Sequence, residues 1–290
     1  MRQRLRDFLA LTKPGITRHV VLTAAAGFYL GAAGAFDWTR LLALLAGTAL
    51  VSGGTNTLNQ WWERDVDARM SRTRGRPLAA GRLSAGAGLA FGLAIGLAGV
   101  ALLASGTNRL TALLAGFTLG SYVLAYTPLK KRTSLNTLVG CIPGALPILG
   151  GWTAATGHLA SGGLALFAVM FLWQLPHTLA LAWLYRADYR AGGLVMPGGK
   201  DESGTPTAAK AALYSALLLA ASLALAPLGV GTPASGAVAL GLGLFLVWLS
   251  GSWALAPAPE RARKLFVATL AYLPALLLVL VVARALEARG

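Results

Sequence analysis

Apolar residues run through this chain in long blocks, and polar residues collect in a few short stretches between them. The blocks fall near residues 16–35, 41–62, 85–105, 110–127, 135–156, 163–185, 208–229, 234–256 and 265–284. A helix needs about 20 mostly apolar residues to cross roughly 30 Å of hydrocarbon, and the blocks meet that length repeatedly. They are apolar all round, without the alternation of a membrane strand. Leu and Ala dominate them, and both are good helix formers. The pattern predicts an all-α polytopic membrane protein with about nine spanning helices. These form a single transmembrane domain over 1–290, led in by an interfacial segment at 1–13. Gly86, Gly92, Gly96, Gly241 and Gly243 sit inside the blocks, where small residues let helices pack closely in lipid.

Composition supports this reading. Apolar residues make up 56% of the chain and charged ones only 12%, against about 25% charged in a soluble domain. The net charge of +15 would raise nucleic acid as a partner in a soluble protein. Here the distribution accounts for it, so the partner expected is the lipid bilayer and no nucleic acid. With the N-terminus in the cytoplasm, all of the 25 Lys and Arg except Arg40, Arg109, Arg284 and Arg289 fall on the cytoplasmic side, as positive-inside topology requires. The C-terminus is then outside, and the expected location is the cell (inner) membrane. Cys141 is the single cysteine, which excludes an internal disulfide and a paired-thiol metal site.

Polar chemistry gathers on the cytoplasmic side, in residues 63–84 and 186–207. Asn59, Glu63 and Asp67 are spaced i, i+4, i+8, which lines their side chains along one stripe of a helix. All three offer oxygen, the donor that Mg²⁺ prefers alongside waters and substrate phosphate. Ionisable groups at the end of a span are costly and usually functional; ion pairing with Arg64 and Arg69 is the plainer alternative. Arg69, Arg72, Arg74 and Arg76 follow at once, and guanidinium forks match phosphate oxygens. Lys130, Lys131 and Arg132 form a smaller basic group that could reach a pyrophosphate. In the second long stretch Asp188 is a lone carboxylate. His177 follows Pro176 within the sixth span, and His19 is read as buried in the first; a lone membrane histidine is as readily hydrogen-bonded to a neighbouring helix as functional. His158 lies in an outer loop.

These residues resemble the UbiA-type intramembrane prenyltransferases, through Asn-x-x-x-Glu-x-x-x-Asp after the second span and Arg76-Pro77-Leu78 beyond it. The segments at 11–16, 59–63, 72–78, 126–130, 142–147 and 171–177, running on to Asp188-Tyr189 and Gly192-Gly193, resemble the branch that farnesylates heme. The resemblance covers about 8 to 200. It implies nine helices around a central cavity open to lipid, with farnesyl diphosphate and heme B as substrates, Mg²⁺ as cofactor and heme O as product. It names heme A synthase as a candidate partner. Carried over by position, Asn59, Glu63 and Asp67 are the first metal–diphosphate motif and Asp188 belongs to the second. Arg72, Arg76, Lys130 and Lys131 would bind the diphosphate, and His177 or His19 the heme. The second motif departs from the superfamily's two aspartates, because Leu184 stands four before Asp188. The competing readings are a UbiA-type enzyme with another aromatic or quinone-precursor acceptor and, in a different class, a membrane transporter.

Overall fold

A computed structural model describes residues 2–32 and 36–287, and among them every regular element is helical. The order is α1 (Arg2–Leu11), α2 (Pro14–Gly31), α3 (Trp38–Asp67), α4 (Ala85–Gly106) and α5 (Arg109–Gly120). After a π-helical stretch (Ser121–Tyr126) come α6 (Thr127–Leu129), α7 (Asn136–Thr156), α8 (Ser161–Leu184), α9 (Arg186–Ala191), α10 (Thr205–Leu223), α11 (Pro233–Leu255) and α12 (Pro259–Glu287). Eight helices are long and apolar enough to cross a bilayer, with Arg109–Leu129 counting as one. Pro14–Gly31 has 18 residues, about 27 Å at 1.5 Å each, but Arg18 and His19 dilute its apolar character. With it the described helices match the nine expected, and the chain is a multi-pass membrane protein. The end of the block at 16–35, and Arg289, lie outside the described residues.

The ends of the helices follow from local chemistry. Asp37, Ser84, Asn108 and Thr232 cap α3, α4, α5 and α11, each accepting a backbone N–H from the first turn, which satisfies donors the helix leaves orphaned. The seventh span stops at Leu223 rather than near 229, since Pro227 and Gly229 (φ 76°) turn the chain.

The described residues form two compact units. The first comprises residues up to 158 together with 187–195, and so holds α1 to α7. There α3 packs on α4 and α2 on α7. Both crossings are made by glycine. A Cβ at Gly54 would lie 2.6 Å from Gly96 Cα, and one at Gly99 would lie 2.7 Å from Gly47 O. Gly27 and Gly151 likewise press on the backbones of Ile148 and Ala24. Gly92 and Gly96 thus serve close packing as expected, and so does Gly243 in the second unit, against Leu219. Gly86 and Gly241 correct the expectation, for a Cβ at either meets open space. Under α1 and the 68–84 segment lies a small core of Leu11, Leu78 and Leu83 with Phe8, Trp61 and Phe91. Asp7, buried, pairs with Arg82 at 3.0 Å and pins α1 over that core. Arg2, Arg4, Arg6, Leu5 and Leu9 face outward, the mix that suits an interfacial helix.

The second unit comprises 159–186 and the residues from 196 onward. There α8 packs on α10 and α12, and α11 on α10 and α12. Asp201 ties its entry loop, accepting from Gly204 N, Thr207 N and Thr207 Oγ1.

Candidate active site

Three consecutive turns at the end of α3 present Asn59, Glu63 and Asp67, all nearly or fully buried. A buried carboxylate is retained only with partners, and each member of the stripe has a cation. Lys13 Nζ donates to Asn59 Oδ1 at 3.3 Å. Lys130 Nζ donates to Glu63 Oε2 at 3.2 Å and lies 3.0 Å from Oε1. One Arg76 nitrogen reaches both oxygens of Asp67, at 2.8 and 2.7 Å. The direct shell therefore holds three basic groups, Lys13, Lys130 and Arg76, against two carboxylates.

The backbone sets these partners out. Asn56 Nδ2 donates to Thr12 O at 3.4 Å and Gln60 Nε2 to Leu11 O at 2.7 Å, which fastens the corner carrying Lys13 to α3. The π-helical stretch before α6 has a local cause. Pro128 offers no N–H to the carbonyl four residues back, and the wider turn lets Thr127 N and Thr127 Oγ1 both donate to Tyr122 O. Such bulges are frequent at functional sites. This one aims Thr127 and Lys130 at the stripe: Thr127 Oγ1 accepts from Asn59 Nδ2 at 3.2 Å, and Lys130 Nζ sits 4.5 Å above the Tyr126 ring. Burial alone would lower the Lys130 ammonium, but Glu63 beside it holds it well above the ordinary lysine value. Burial, with Arg76 and Lys130 nearby, pushes Lys13 down to about 7.

The other sequence candidates lie elsewhere. Asp188 Oδ1 accepts from Ser71 N at 2.7 Å and Ser71 Oγ at 2.8 Å, tying α9 to the 68–84 segment. Partial desolvation raises its carboxyl, yet the Ser71 hydrogen bonds and neighbouring Arg72 outweigh that and hold it below the usual range. Its Oδ2 is buried and accepts no hydrogen bond. Arg72 lies 5.8 Å from the Tyr189 ring centre, and Arg69 donates to Gly192 O. Lys131, next to the inward Lys130, is exposed. His19 corrects the expectation of burial: it is exposed, with Nδ1 2.7 Å from Gly15 O. His158 is exposed too and bonds locally to Thr156.

His177 belongs to the second unit. Its ring lies between Trp173 and Phe266, with centroids at 5.1 and 4.8 Å. Its Nδ1 is 2.9 Å from Thr269 Oγ1, which donates its own proton to Phe266 O. Thr269 therefore accepts from Nδ1–H, and Nε2 keeps the ring's lone pair.

The donor set fits a hard divalent cation. Asn59 Oδ1 and the carboxylates of Glu63 and Asp67 are all oxygen, and the buried Glu63 Oε1 accepts no hydrogen bond. Among the described residues no three His, Cys, Asp or Glu form a metal cluster. A cation here would complete its shell with water and substrate oxygen, as Mg²⁺ does at phosphate sites.

Sequence reasoning passed over Lys13 and Ser71. Lys13 counts in the sequence as one more cytoplasmic cation. The signal that singles it out is its place just before Pro14, at the tip of a span on the side of the stripe.

Residues 20–273 match the UbiA prenyltransferase family. A protoheme IX farnesyltransferase of Solibacter usitatus is 41% identical, over 93% of this chain and 96% of its own. A structure of digeranylgeranylglyceryl phosphate synthase is 15% identical, with a TM-score of 0.81 over 97% of this chain and 99% of that one. A UbiA homologue from Archaeoglobus fulgidus bound to GPP and Mg²⁺ is also 15% identical, with a TM-score of 0.71 over 95% and 99%. At that identity the two structures establish likeness of fold.

Proposed function

The chain belongs to the UbiA prenyltransferase family, and from that premise we propose that it moves a farnesyl group from farnesyl diphosphate to a vinyl group of heme B, giving heme O. Relatives bearing the name of that activity match nearly its whole length. The observation that carries the chemistry is the buried oxygen stripe with a cation on every member.

Asn59, Glu63 and Asp67 would hold a divalent cation, Mg²⁺ in this reading, which when bound would supply positive charge to the diphosphate. Arg76 and Lys130, which face the stripe, neutralise the remaining phosphate charge, and the exposed Arg72 and Lys131 add to it. As the allylic carbon–oxygen bond breaks, its electron pair stays on the diphosphate. Fixed cations stabilise that growing charge more than the ground state, which accelerates ionisation. The vinyl π-electrons attack the allylic carbon. Water then adds to the resulting carbocation and loses a proton, leaving a hydroxyethylfarnesyl group. The Asp188 tie to Ser71 holds the 68–84 segment, and Asp188 Oδ2 would offer a further oxygen. His177 positions heme through Nε2. By its distribution of Lys and Arg the chain lies in the cell membrane with its N-terminus and this site on the cytoplasmic side. The reading leaves heme A synthase as a partner of the product.

Membranes bearing the chain, given heme B and farnesyl diphosphate, are expected to form heme O when Mg²⁺ is present and none when it is chelated. Mass spectrometry reads the product, and a farnesylated aromatic other than heme would overturn the acceptor. His177→Ala is expected to weaken heme B binding in a spectral titration while leaving magnesium pyrophosphate binding intact. Unchanged heme affinity removes His177 from the heme site.

A further inference from the structure

Lys13 is the single non-glycine residue with positive φ among the described residues, at φ 47° and ψ 67°. A residue with a Cβ adopts the left-handed region at a cost, and such strain persists where the surroundings impose it, often at functional sites. Pro14, opening α2, disfavours the right-handed helical conformation at residue 13, but an extended backbone would satisfy it equally well. The left-handed turn instead sends the ammonium to Asn59 Oδ1. Asn59 Nδ2 is engaged by Thr127 Oγ1, so the amide is oriented with its oxygen toward Lys13. The corner is also fastened to α3 through Thr12 O and Leu11 O, which fixes the lysine at this tip.

The charge inventory separates Lys13 from its two fellow cations. Lys130 and Arg76 each face a carboxylate, whereas the partner of Lys13 is a neutral amide. Lys13 is thus the basic group of the shell that faces no carboxylate, placed on an oxygen that a metal would take. Once a metal draws on Asn59 Oδ1, the ammonium must leave it, and the anionic acceptors that arrive with the metal are phosphate oxygens.

We propose that Lys13 is a third phosphate-binding cation, which holds Asn59 in the unloaded site and transfers to a diphosphate oxygen when magnesium diphosphate binds. This rests on the diphosphate reading above. The test is equilibrium binding of magnesium pyrophosphate, and of farnesyl diphosphate, to the full chain in lipid nanodiscs by titration calorimetry. Lys13→Gly is the informative variant, because glycine takes the left-handed backbone without strain. It is expected to keep or raise the melting temperature while weakening pyrophosphate binding by about tenfold or more, the scale of a lost charge-assisted hydrogen bond. Lys13→Arg is expected to retain most of the affinity. Should the glycine variant fail to fold, Lys13→Met reads the same affinity. Wild-type affinity in Lys13→Gly or Lys13→Met overturns the proposal, as does an equal loss in Lys13→Arg, which keeps the charge. Lys130→Gln distinguishes the two levels. If it loses binding while Lys13→Gly does not, only the part of Lys13 falls. If neither variant alters binding, the diphosphate reading itself falls.

Discussion

Glu63→Gln is expected to abolish heme O formation, by a factor on the order of 10²–10³ or more, the range in which loss of one electrostatic element of an active site falls. The substitution keeps the shape and removes one charge. Glu63 is buried, and the Lys130 ammonium lies 3.0 Å from its Oε1 and 3.2 Å from its Oε2. An amide in its place still offers a carbonyl to Lys130, but no longer the charge that a magnesium ion needs. Stability should fall as well. Lys130 would remain buried without its counter-charge, and breaking a buried ion pair from one side costs about 3–5 kcal/mol. The second substitution separates the two effects. Glu63→Gln combined with Lys130→Met removes both buried charges, so the loss in melting temperature should largely reverse while activity stays absent. The measurements are heme O by mass spectrometry across a magnesium titration, and thermal denaturation of each variant. Activity within a few-fold of wild type, with the same magnesium dependence, would refute the metal role of this stripe.

Much of this architecture was legible in the sequence, for a definite reason. A span is specified by length and apolarity alone, so the nine blocks translate into helices, with their described ends displaced by up to six residues. The stripe was legible because i, i+4, i+8 spacing on any helix puts side chains on one face. What the sequence hid was pairing at a distance. Lys130 and Lys131 are neighbours with the same chemistry, and only the path of the chain through the π-helical stretch decides that one turns to Glu63 and the other to the surface. His19 lies in an apolar block, but a block does not say which face of its helix is covered. The left-handed backbone at Lys13 has no marker in composition, and the Ser71–Asp188 tie joins residues 117 apart in sequence. Gly86 and Gly241 share the composition of the packing glycines but not their neighbours.

Gly54→Val is expected to leave little folded protein in the membrane. In lipid there is no hydrophobic gain on bringing two helices together, because the tails are as apolar as leucine; close packing has to hold them. At the α3–α4 crossing that packing is backbone on backbone. A Cβ on Gly54 would stand 2.6 Å from Gly96 Cα, 2.7 Å from Gly96 N and 2.8 Å from Gly92 O. None of these atoms can rotate away as a side-chain tip could, so α4 must withdraw bodily. Overpacking a core ordinarily costs about 1–3 kcal/mol, and a clash with rigid backbone belongs at or above the top of that range. A total stability of about 5–15 kcal/mol leaves little margin. The site would suffer before global unfolding, because Gly54 lies little more than a turn before Asn59 on the same helix, and a displaced α3 moves the stripe away from Lys13 and Lys130. Gly86→Ala and Gly241→Ala are the controls, since neither added methyl meets an atom within 4 Å. Both should express and melt like the parent. Yield by size-exclusion chromatography and the melting temperature decide the matter. A Gly54→Val protein that melts within a degree or two of the parent would mean that α3 and α4 are not held by this contact, and that the stripe owes its position to the corner at Leu11–Lys13 instead.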